Sequence, residues 1–401
     1  MEKSKVNNIR LCDDKDCTGC FACAGVCPKD AIYTIKDIEG FDHPKIDVGK
    51  CIQCHLCEKA CPVLNPVEKS KTPGKVYAAW SNDEEIRSKS SSGGLFSVLA
   101  NAIIEDNGVV VGATMGKDDV VRHIIIETKE DLPLLRGSKY VQSDLNREVY
   151  LKISKHLKEG RIVLFSGTPC QIAGVKKVFK RFKDNLYTVD VVCHGVPSPM
   201  FWSKVIHNIK KKYKNIISYQ FRDYKNWLVC SNVNVNVNVN NTIKTQYLYG
   251  EDTYYQDAFL KGLLHRPNCY NCQYTDIHRV SDITLSDFWG IGSYKSIRRD
   301  YKGGCSMVSV NTLKGESLFN KIKNQIFFEE RDIQETIDGG NEQLVRPSVK
   351  PSGRDTFYAD AKKLTPQELI KKYNLKLIKE PAPIWRRCLG KLKRTFNKLF
   401  L

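Results

Sequence analysis

The stretches CTGCFACAGVCP (residues 17–28) and CIQCHLCEKACP (residues 51–62) decide the fold of the N-terminal region. Each holds four cysteines in the order C-x2-C-x2-C-x3-C, followed by a proline. The chain has 16 cysteines in all, and its first residues, MEKSKVNNIR, include no apolar segment typical of a secreted protein. In a reducing compartment, cysteines clustered in this way are expected to be metal or redox ligands rather than disulfide partners.

This spacing is typical of bacterial ferredoxins with two 4Fe–4S clusters, in which the fourth cysteine of each run binds the cluster of the other run. We predict two clusters, the first held by Cys17, Cys20, Cys23 and Cys61 and the second by Cys51, Cys54, Cys57 and Cys27. A structural zinc site fits less well, because zinc sites use pairs of C-x-x-C rather than triplets with a separate fourth cysteine. Cys12 lies outside the pattern and is expected to be a bystander.

The stretch VLNPVEKSKTPG that follows is predicted to be a linker, because it is rich in proline and charge. We divide the chain into a ferredoxin-type domain (1–66), a linker (67–75), a body (76–345) and a basic tail (346–401). Residues 1–61 carry nine Lys or Arg against ten Asp or Glu, whereas the whole chain has a net charge of +18. The sequence therefore predicts an acidic electron-carrying domain tethered to a basic body.

The body alternates strand-like and helix-like segments. GVVVGATM and VRHIIIET are predicted strands, and RIVLFSG and LYTVDVV are predicted buried strands that each precede a helix. Thr168 is the expected N-cap and Pro169 the first residue of the helix in TPCQIAGVKKVF, and Gly160 ends the helix before it. We predict an α/β fold, a partly parallel body with an inserted β-hairpin formed by VNVNVNVN and the turn at Asn240 and Asn241.

Four cysteines of the body suggest a third metal centre. Cys170 follows one buried strand and Cys193 the next, and the carboxyl ends of neighbouring parallel strands meet at one sheet edge. Cys170 would also lie in the first turn of its helix, where free N–H groups favour a thiolate. Since Cys269 and Cys272 form an isolated C-x-x-C pair, we hypothesise a third 4Fe–4S centre held by all four. The alternatives are a four-cysteine zinc site, or two buried cysteines and an unrelated pair.

Five stretches of the body, in order, resemble motifs of the β subunits of coenzyme F420 hydrogenases and dehydrogenases: SSGGLFSVLA, LRGSKYVQS, SGTPCQIAG, VDVVCHGVPSP and RVSDITLSDFWG. An N-terminal two-cluster ferredoxin domain is a common attachment in that family. The resemblance implies an FAD-containing iron–sulfur oxidoreductase with a body cluster near the flavin, and it matches the cysteines of TPC, VCHG and CYNC to family positions. Ser286 departs from the usual glycine before DFWG, and a side chain there would narrow the pocket.

Under this resemblance, the candidate cofactor-binding residues are small or positively charged: Ser91, Ser92, Gly93, Gly94, Arg136, Ser138, Lys139, Thr168 and Pro169. The SSGG stretch opens a helix whose N–H groups suit a phosphate, and RGSK offers donors for a pyrophosphate or an acidic substrate. The alternatives are a helix cap with close-packed glycines and a solvated loop. His194 is the candidate catalytic proton donor, or else a structural histidine, and the same choice applies to Asp282 and Asp287.

The sequence thus predicts an oxidoreductase that passes electrons between a ferredoxin-like carrier or redox partner protein and an unknown organic substrate, through 4Fe–4S clusters and FAD. Two other classes are a non-catalytic electron-transfer subunit docked on a partner enzyme and a basic nucleic-acid-binding iron–sulfur protein. No run reaches roughly 20 apolar residues, so a cytoplasmic location is expected. The basic segment after Pro383 is expected to form an amphipathic helix that lies on an anionic membrane surface or docks on the body or a partner.

Overall fold

The computed structural model describes residues 8–222, 232–237 and 242–380. The helices of the described residues are α1 Ala22–Val26, α2 Leu56–Ala60, α3 Glu84–Ser88, α4 Leu95–Glu105, α5 Leu132–Leu135, α6 Arg147–Lys158, α7 Pro169–Val178, α8 Pro199–Lys212, α9 Tyr254–Leu260, α10 Leu313–Ile322, α11 Ile333–Asp338, α12 Arg354–Lys363 and α13 Pro366–Lys372. Within this part of the chain, every helix is too short or too polar to span a membrane.

The strands are β1 Ile32–Lys36, β2 Asp42–Ile46, β3 Lys75–Ser81, β4 Val109–Met115, β5 Val121–Ile126, β6 Val163–Gly167, β7 Leu186–Val191, β8 Ile216–Gln220, β9 Asn232–Val237, β10 Thr242–Tyr247, β11 Ile283–Asp287, β12 Ser306–Val310 and β13 Ile326–Arg331. Eight of them form one sheet in the order β13-β3-β12-β11-β7-β6-β4-β5. The four neighbouring strands β11, β7, β6 and β4 are parallel to one another, and every other pair of neighbouring strands in this sheet is antiparallel. The predicted mixed, partly parallel α/β body is confirmed.

The connection from β6 to β7 sets up the site. The two strands are parallel neighbours, with Val163 opposite Leu186, and α7 crosses between them. Helix α7 begins as predicted, because Thr168 and Gln171 form a capping box and Pro169 is the first helical residue. The loop that precedes β6 contains Gly160 with φ +78°, and it lies directly after the last turn of α6. The carboxyl ends of β6 and β7 therefore lie side by side at one edge of the sheet.

A second, three-stranded antiparallel sheet has the order β10-β9-β8. Strands β9 and β10 pair with Asn232 opposite Tyr247, which confirms the hairpin predicted from the Val/Asn alternation. The predicted turn at Asn240 and Asn241 lies outside the described residues.

The N-terminal domain consists of α1, α2 and the β1–β2 hairpin, and it packs directly on the body. Tyr150 of α6 donates a hydrogen bond to the carbonyl of Cys20 (2.7 Å), and its ring lies against Gly25. The predicted linker is itself bonded to the body, because the Ser70 N–H donates to the Arg279 carbonyl (2.8 Å). The charge pattern suggests a domain that is only tethered to the body. The structure instead holds this domain in contact with the body.

Part of the predicted tail also belongs to the core. Phe357 of α12 and Leu369 of α13 are fully buried, in a cluster with Trp202 of α8. The amphipathic segment after Pro383 lies outside the described residues.

Candidate functional site

The two N-terminal cysteine runs adopt the same tight loop. Gly19 and Phe21 in the first run, and Gln53 and His55 in the second, all have φ between +54° and +68°. Left-handed backbone is unfavourable for residues other than glycine and costs on the order of 1 kcal/mol each. The surrounding structure therefore holds the backbone of both loops in the same curled conformation.

The structure brings together both crossed cysteine sets. The thiols of Cys17 and Cys61 both act electrostatically on Cys20 and Cys23, so Cys61 lies with the first three cysteines of the other run. Cys27 in turn lines one small pocket with Cys51, Cys54 and Cys57. We call Cys17, Cys20, Cys23 and Cys61 the inner set and Cys27, Cys51, Cys54 and Cys57 the outer set, because Cys54 is exposed.

Cys12, which is not part of the motif, lies beside the inner set. Its thiol lies close to those of Cys17 and Cys61, and the proximity of Cys12 lowers the pKa of Cys61 to about 7. Burial raises the pKa of Cys20 to about 12. Spacing could not reveal the position of Cys12, because it belongs to neither run.

The four body cysteines also converge, and we call them the body set. The Cys193 thiol lies within electrostatic range of the Cys269 and Cys272 thiols. The Cys170 thiol lies within electrostatic range of those of Cys193 and Cys272. Backbone hydrogen bonds connect the Cys269 loop to the loop after Cys193, since the Cys269 N–H donates to the Arg266 carbonyl (2.9 Å) and the Arg266 N–H donates to the Val196 carbonyl (3.0 Å). Cys170 and Cys193, which were expected to meet because they follow neighbouring parallel strands, are thus neighbours in the structure.

Burial keeps the body thiols protonated when no metal is bound. It raises the pKa of Cys193 and of Cys269 to about 12 and also raises the pKa of Cys170 and Cys272. Metal or cluster uptake must therefore displace these protons. Across the described residues, no three His, Cys, Asp or Glu side chains are grouped closely enough to hold a single metal ion.

The inner set faces the body set across α7. A Cβ atom added to Gly174 would lie 3.0 Å from Cys20 Sγ, so the missing side chain allows the inner set to approach the helix that carries Cys170. Tyr150 and Tyr274 each lie within electrostatic range of both Cys20 and Cys170. The three sets therefore follow one another from the exposed Cys54 to the sheet edge.

A cavity of about 600 Å³ lies at that sheet edge, with Cys170 and Cys193 in its wall. Seven of the nine predicted cofactor-binding residues line it: Ser91, Ser92, Gly94, Arg136, Ser138, Lys139 and Thr168. Gly93 does not, because it packs against β3, where an added Cβ would lie 2.3 Å from the Ala79 carbonyl oxygen. Pro169 is buried as the first residue of α7. Gly93 and Pro169 therefore lie outside the cavity lining.

The wall formed by the SSGG and RGSK stretches is polar. The Ser138 N–H donates to Ser91 Oγ (2.9 Å), and Lys139 Nζ donates to the carbonyls of Leu135 and Arg136 (2.9 Å each). Burial lowers the pKa of Lys139 to about 7. His123 lies in the same wall, and its buried Nδ1 has no hydrogen-bond partner among the described residues. This wall offers donors and an unused ring nitrogen to a bound molecule.

Arg222 is a further cavity residue that sequence reasoning missed, as it missed His123. It is buried, donates to Asp287 Oδ2 (2.6 Å) and to the Ser91 carbonyl (3.2 Å), and joins two of the predicted stretches. Nothing in QFRDYK distinguishes Arg222 from a solvated arginine. Ser286 lines the cavity as expected, but its hydroxyl donates to the Asp287 carbonyl (2.9 Å).

The other candidate polar residues have structural partners. His194 lines the cavity, but its Nε2 lies 3.1 Å from the Leu260 carbonyl oxygen, and burial lowers its pKa. Asp282 is buried and accepts hydrogen bonds from the Thr188 N–H (2.8 Å) and hydroxyl (2.7 Å). Asp282 therefore fixes the start of β11 rather than facing the cavity.

Comparison with known proteins adds three family matches. Residues 160–336 match the C terminus, and residues 76–148 the N-terminal part, of the coenzyme F420 hydrogenase/dehydrogenase beta subunit. Residues 16–65 match a 4Fe–4S dicluster domain.

Individual proteins are also similar to this chain. An uncharacterized protein of Methanocaldococcus jannaschii is 27% identical over 218 residues, which cover 46% of this chain and 59% of that protein. The chain thus matches about three-fifths of the length of that relative. A chain of the F420-reducing NiFe hydrogenase complex from Methanosarcina barkeri is 20% identical, with a TM-score of 0.44, over 76% of this chain and 95% of that one.

Proposed function

Because this chain belongs to the coenzyme F420 hydrogenase/dehydrogenase beta subunit family, we propose that it is an iron–sulfur flavoprotein oxidoreductase. It would pass electrons between a one-electron carrier protein and an organic two-electron substrate. Clusters of the 4Fe–4S type carry single electrons and a flavin exchanges one or two, so together they would join the two kinds of chemistry.

The observation that carries this proposal is the order of the three cysteine sets. The outer set reaches the surface at Cys54, the inner set lies between it and α7, and the body set adjoins the cavity. Electron transfer needs a carrier to approach one end of such a series and a substrate site at the other end. This order supplies both ends.

The donor sets fit the proposed clusters. Each of the three offers four cysteine thiols, the ligand number of a 4Fe–4S cluster, and the dicluster match covers the inner and outer sets. Tyr150 and Tyr274 are buried, and each lies within electrostatic range of both Cys20 and Cys170, where they would limit the access of water. The protein would therefore keep the path between these sets dry.

The cavity fits a flavin nucleotide. Its volume of about 600 Å³ falls within the usual range of cofactor pockets, about 300–1,000 Å³. Arg136, Ser138 and Lys139 would hold the phosphates, while Cys170 and Cys193 place the body set in the same wall. The unpartnered Nδ1 of His123 would meet a polar edge of the bound cofactor.

An ion pair and a histidine would shape the substrate end. The Arg222–Asp287 ion pair would fix the cavity wall beside Ser286, so that this wall is in position for a bound substrate. His194 keeps Nε2 against the Leu260 carbonyl, so we assign it to packing of the wall rather than to proton donation.

Anaerobic purification with iron, sulfide and flavin analysis tests the proposal, followed by a screen of carriers and organic acceptors. We expect about twelve irons and one FAD per chain, and reduction of the bound flavin by a reduced one-electron carrier. A protein that binds no flavin after reconstitution would overturn the proposal. Stable association with a partner enzyme, without turnover of any acceptor by the isolated chain, would favour the electron-transfer subunit instead.

A further inference from the structure

Arg266 lies where the inner set meets the body set. Its side chain is fully buried, with 0% of its surface exposed. Nε donates to the Cys17 carbonyl (2.7 Å), and the Arg266 carbonyl accepts from the Cys269 N–H (2.9 Å). One residue thus touches a ligand loop of each set.

The acceptors of the Arg266 guanidinium are uncharged. They are the Cys17 carbonyl, the Gln142 side-chain oxygen (3.0 Å) and the Asp42 carbonyl (3.0 Å), and the ring of His43 lies 3.2 Å away. Phe41 packs under the guanidinium, with its ring centre 5.3 Å from Cζ. A buried charge without a counter-charge costs several kcal/mol, so this geometry calls for negative charge close by.

Neighbouring buried arginines are satisfied differently. Arg354 pairs with Glu39 (2.6 Å), and Arg279 pairs with Asp190 (3.0 Å). Arg266 has no such carboxylate within ion-pair distance among the described residues. What it does have nearby is thiols, since its charge acts on both Cys17 and Cys269.

We propose that Arg266 is the shared counter-charge of the inner and body centres, and that it raises the reduction potential of both. The inference rests on the proposed function, because it requires an iron–sulfur cluster at each set. A single electron would pass between the two centres, so that one centre is oxidised as the other is reduced, and no bond would form or break. A fixed cation beside both centres stabilises the reduced form of each, since reduction adds one negative charge.

Redox titrations of the full, cluster-loaded chain, followed by electron paramagnetic resonance, test this role. In Arg266→Gln we expect the potentials of the inner and body centres to fall, while the outer centre, whose ligands do not contact Arg266, stays unchanged. Arg266→Lys keeps the charge and should restore most of the difference. Unchanged inner and body potentials in Arg266→Gln would overturn the inference.

A second variant covers the case in which Arg266→Gln does not fold. Gln142→Glu would place a carboxylate about 3 Å from the guanidinium and neutralise the cation without removing it. We expect the same downward shift of both potentials, and unchanged potentials would again contradict the proposed role.

The double variant Glu39→Gln with Arg354→Gln is the matched control. It removes a buried ion pair at the same contact between domains and leaves the net charge unchanged, so both potentials should stay at their original values. An equal shift in this control would mean that Arg266 acts only through packing. Iron analysis separates the two proposals: about eight irons in the unmodified chain refutes the body centre, whereas about twelve irons with unmoved potentials refutes the role of Arg266.

Discussion

The chain gathers its N-terminal and body cysteines in different ways. The inner and outer sets come from two short runs, and left-handed residues such as Phe21 and His55 curl each run upon itself. The body set comes from α7, the loop after β7, the turn at Pro267–Asn271 and the residue that follows this turn. Cys170 and Cys193 meet because β6 and β7 share a sheet edge. The N-terminal sets thus depend on local backbone geometry, whereas the body set depends on the tertiary fold.

The removal of one body thiol should have the largest effect, because it should remove the body centre and leave the inner and outer centres in place. Cys269→Ala leaves a buried three-thiol site, so we expect loss of about four of about twelve irons, with the N-terminal irons retained because their thiols come from elsewhere. Iron and sulfide analysis with electron paramagnetic resonance measures the loss. Cys305→Ala is the control, since Cys305 is buried but belongs to none of the sets. Full iron content in Cys269→Ala would show that the body set holds no cluster.

The contact between the two regions should respond next most strongly. Both carboxylate oxygens of Glu39 accept from Arg354 (2.7 and 2.6 Å), which ties the β1–β2 hairpin to α12. Glu39→Gln leaves Arg354 buried without a counter-charge, and we expect the free energy of unfolding to fall by about 3 kcal/mol. Anaerobic chemical denaturation of the cluster-loaded chain measures this. Glu39→Gln with Arg354→Gln should lose less, and an equal or larger loss in the double variant would refute the argument.

A smaller perturbation probes the close approach of the inner set to α7. Gly174→Val adds atoms where Cys20 Sγ lies 3.0 Å from the first added carbon, and we expect overpacking to cost about 2 kcal/mol of stability. All irons should remain, but electron transfer from the inner to the body centre should slow, as followed by rapid mixing with a reductant. Lys177→Ala on the same helix is the control and should change neither property. An unaltered transfer rate in a destabilised Gly174→Val would contradict the proposed path.

The same difference explains what could be predicted. Cys17 to Cys61 follow a local pattern, and a dicluster domain matches this part of the chain. Thr168 and Pro169 mark a helix start that is also encoded locally, and this start is confirmed. The body set required one tertiary rule, that Cys170 and Cys193 follow neighbouring parallel strands, and the structure places these thiols together.

Residues whose partners lie far along the chain could not be found in this way. Arg266 meets Cys17 across 249 positions, and Arg222 meets Ser91 across 131. Before folding, each is an ordinary arginine in a polar stretch, and only burial against a distant loop gives it a role. Helices α12 and α13 were likewise assigned to a tail, because their apolar residues become core residues only against α8.

The smallest predicted effect separates the cavity from the N-terminal sets by pH. Burial lowers the pKa of Lys139 to about 7, below its usual value of about 10.4, so its ammonium group is present below pH 7 and is lost above it. If Lys139 holds a flavin phosphate, the affinity for FAD should fall about tenfold between pH 6.5 and pH 8.5. Fluorescence titration of the flavin-free chain measures this change, and the iron content should not vary over the same range.

The matched variant for that test is Lys139→Met, which should bind FAD with an affinity that no longer depends on pH and that resembles the high-pH value of the original chain. Lys139 should also affect how the stability of the chain depends on pH. Between about pH 7 and pH 10.4 the unfolded chain binds the Lys139 proton and the folded chain does not, so the contribution of this residue to stability rises with pH. Stability should therefore rise with pH more steeply in the original chain than in Lys139→Met. Parallel curves of stability against pH in the two chains, together with a persistent pH dependence of FAD binding in Lys139→Met, would contradict the assignment of Lys139 to the cofactor site. Arg136 would then be the principal cation there.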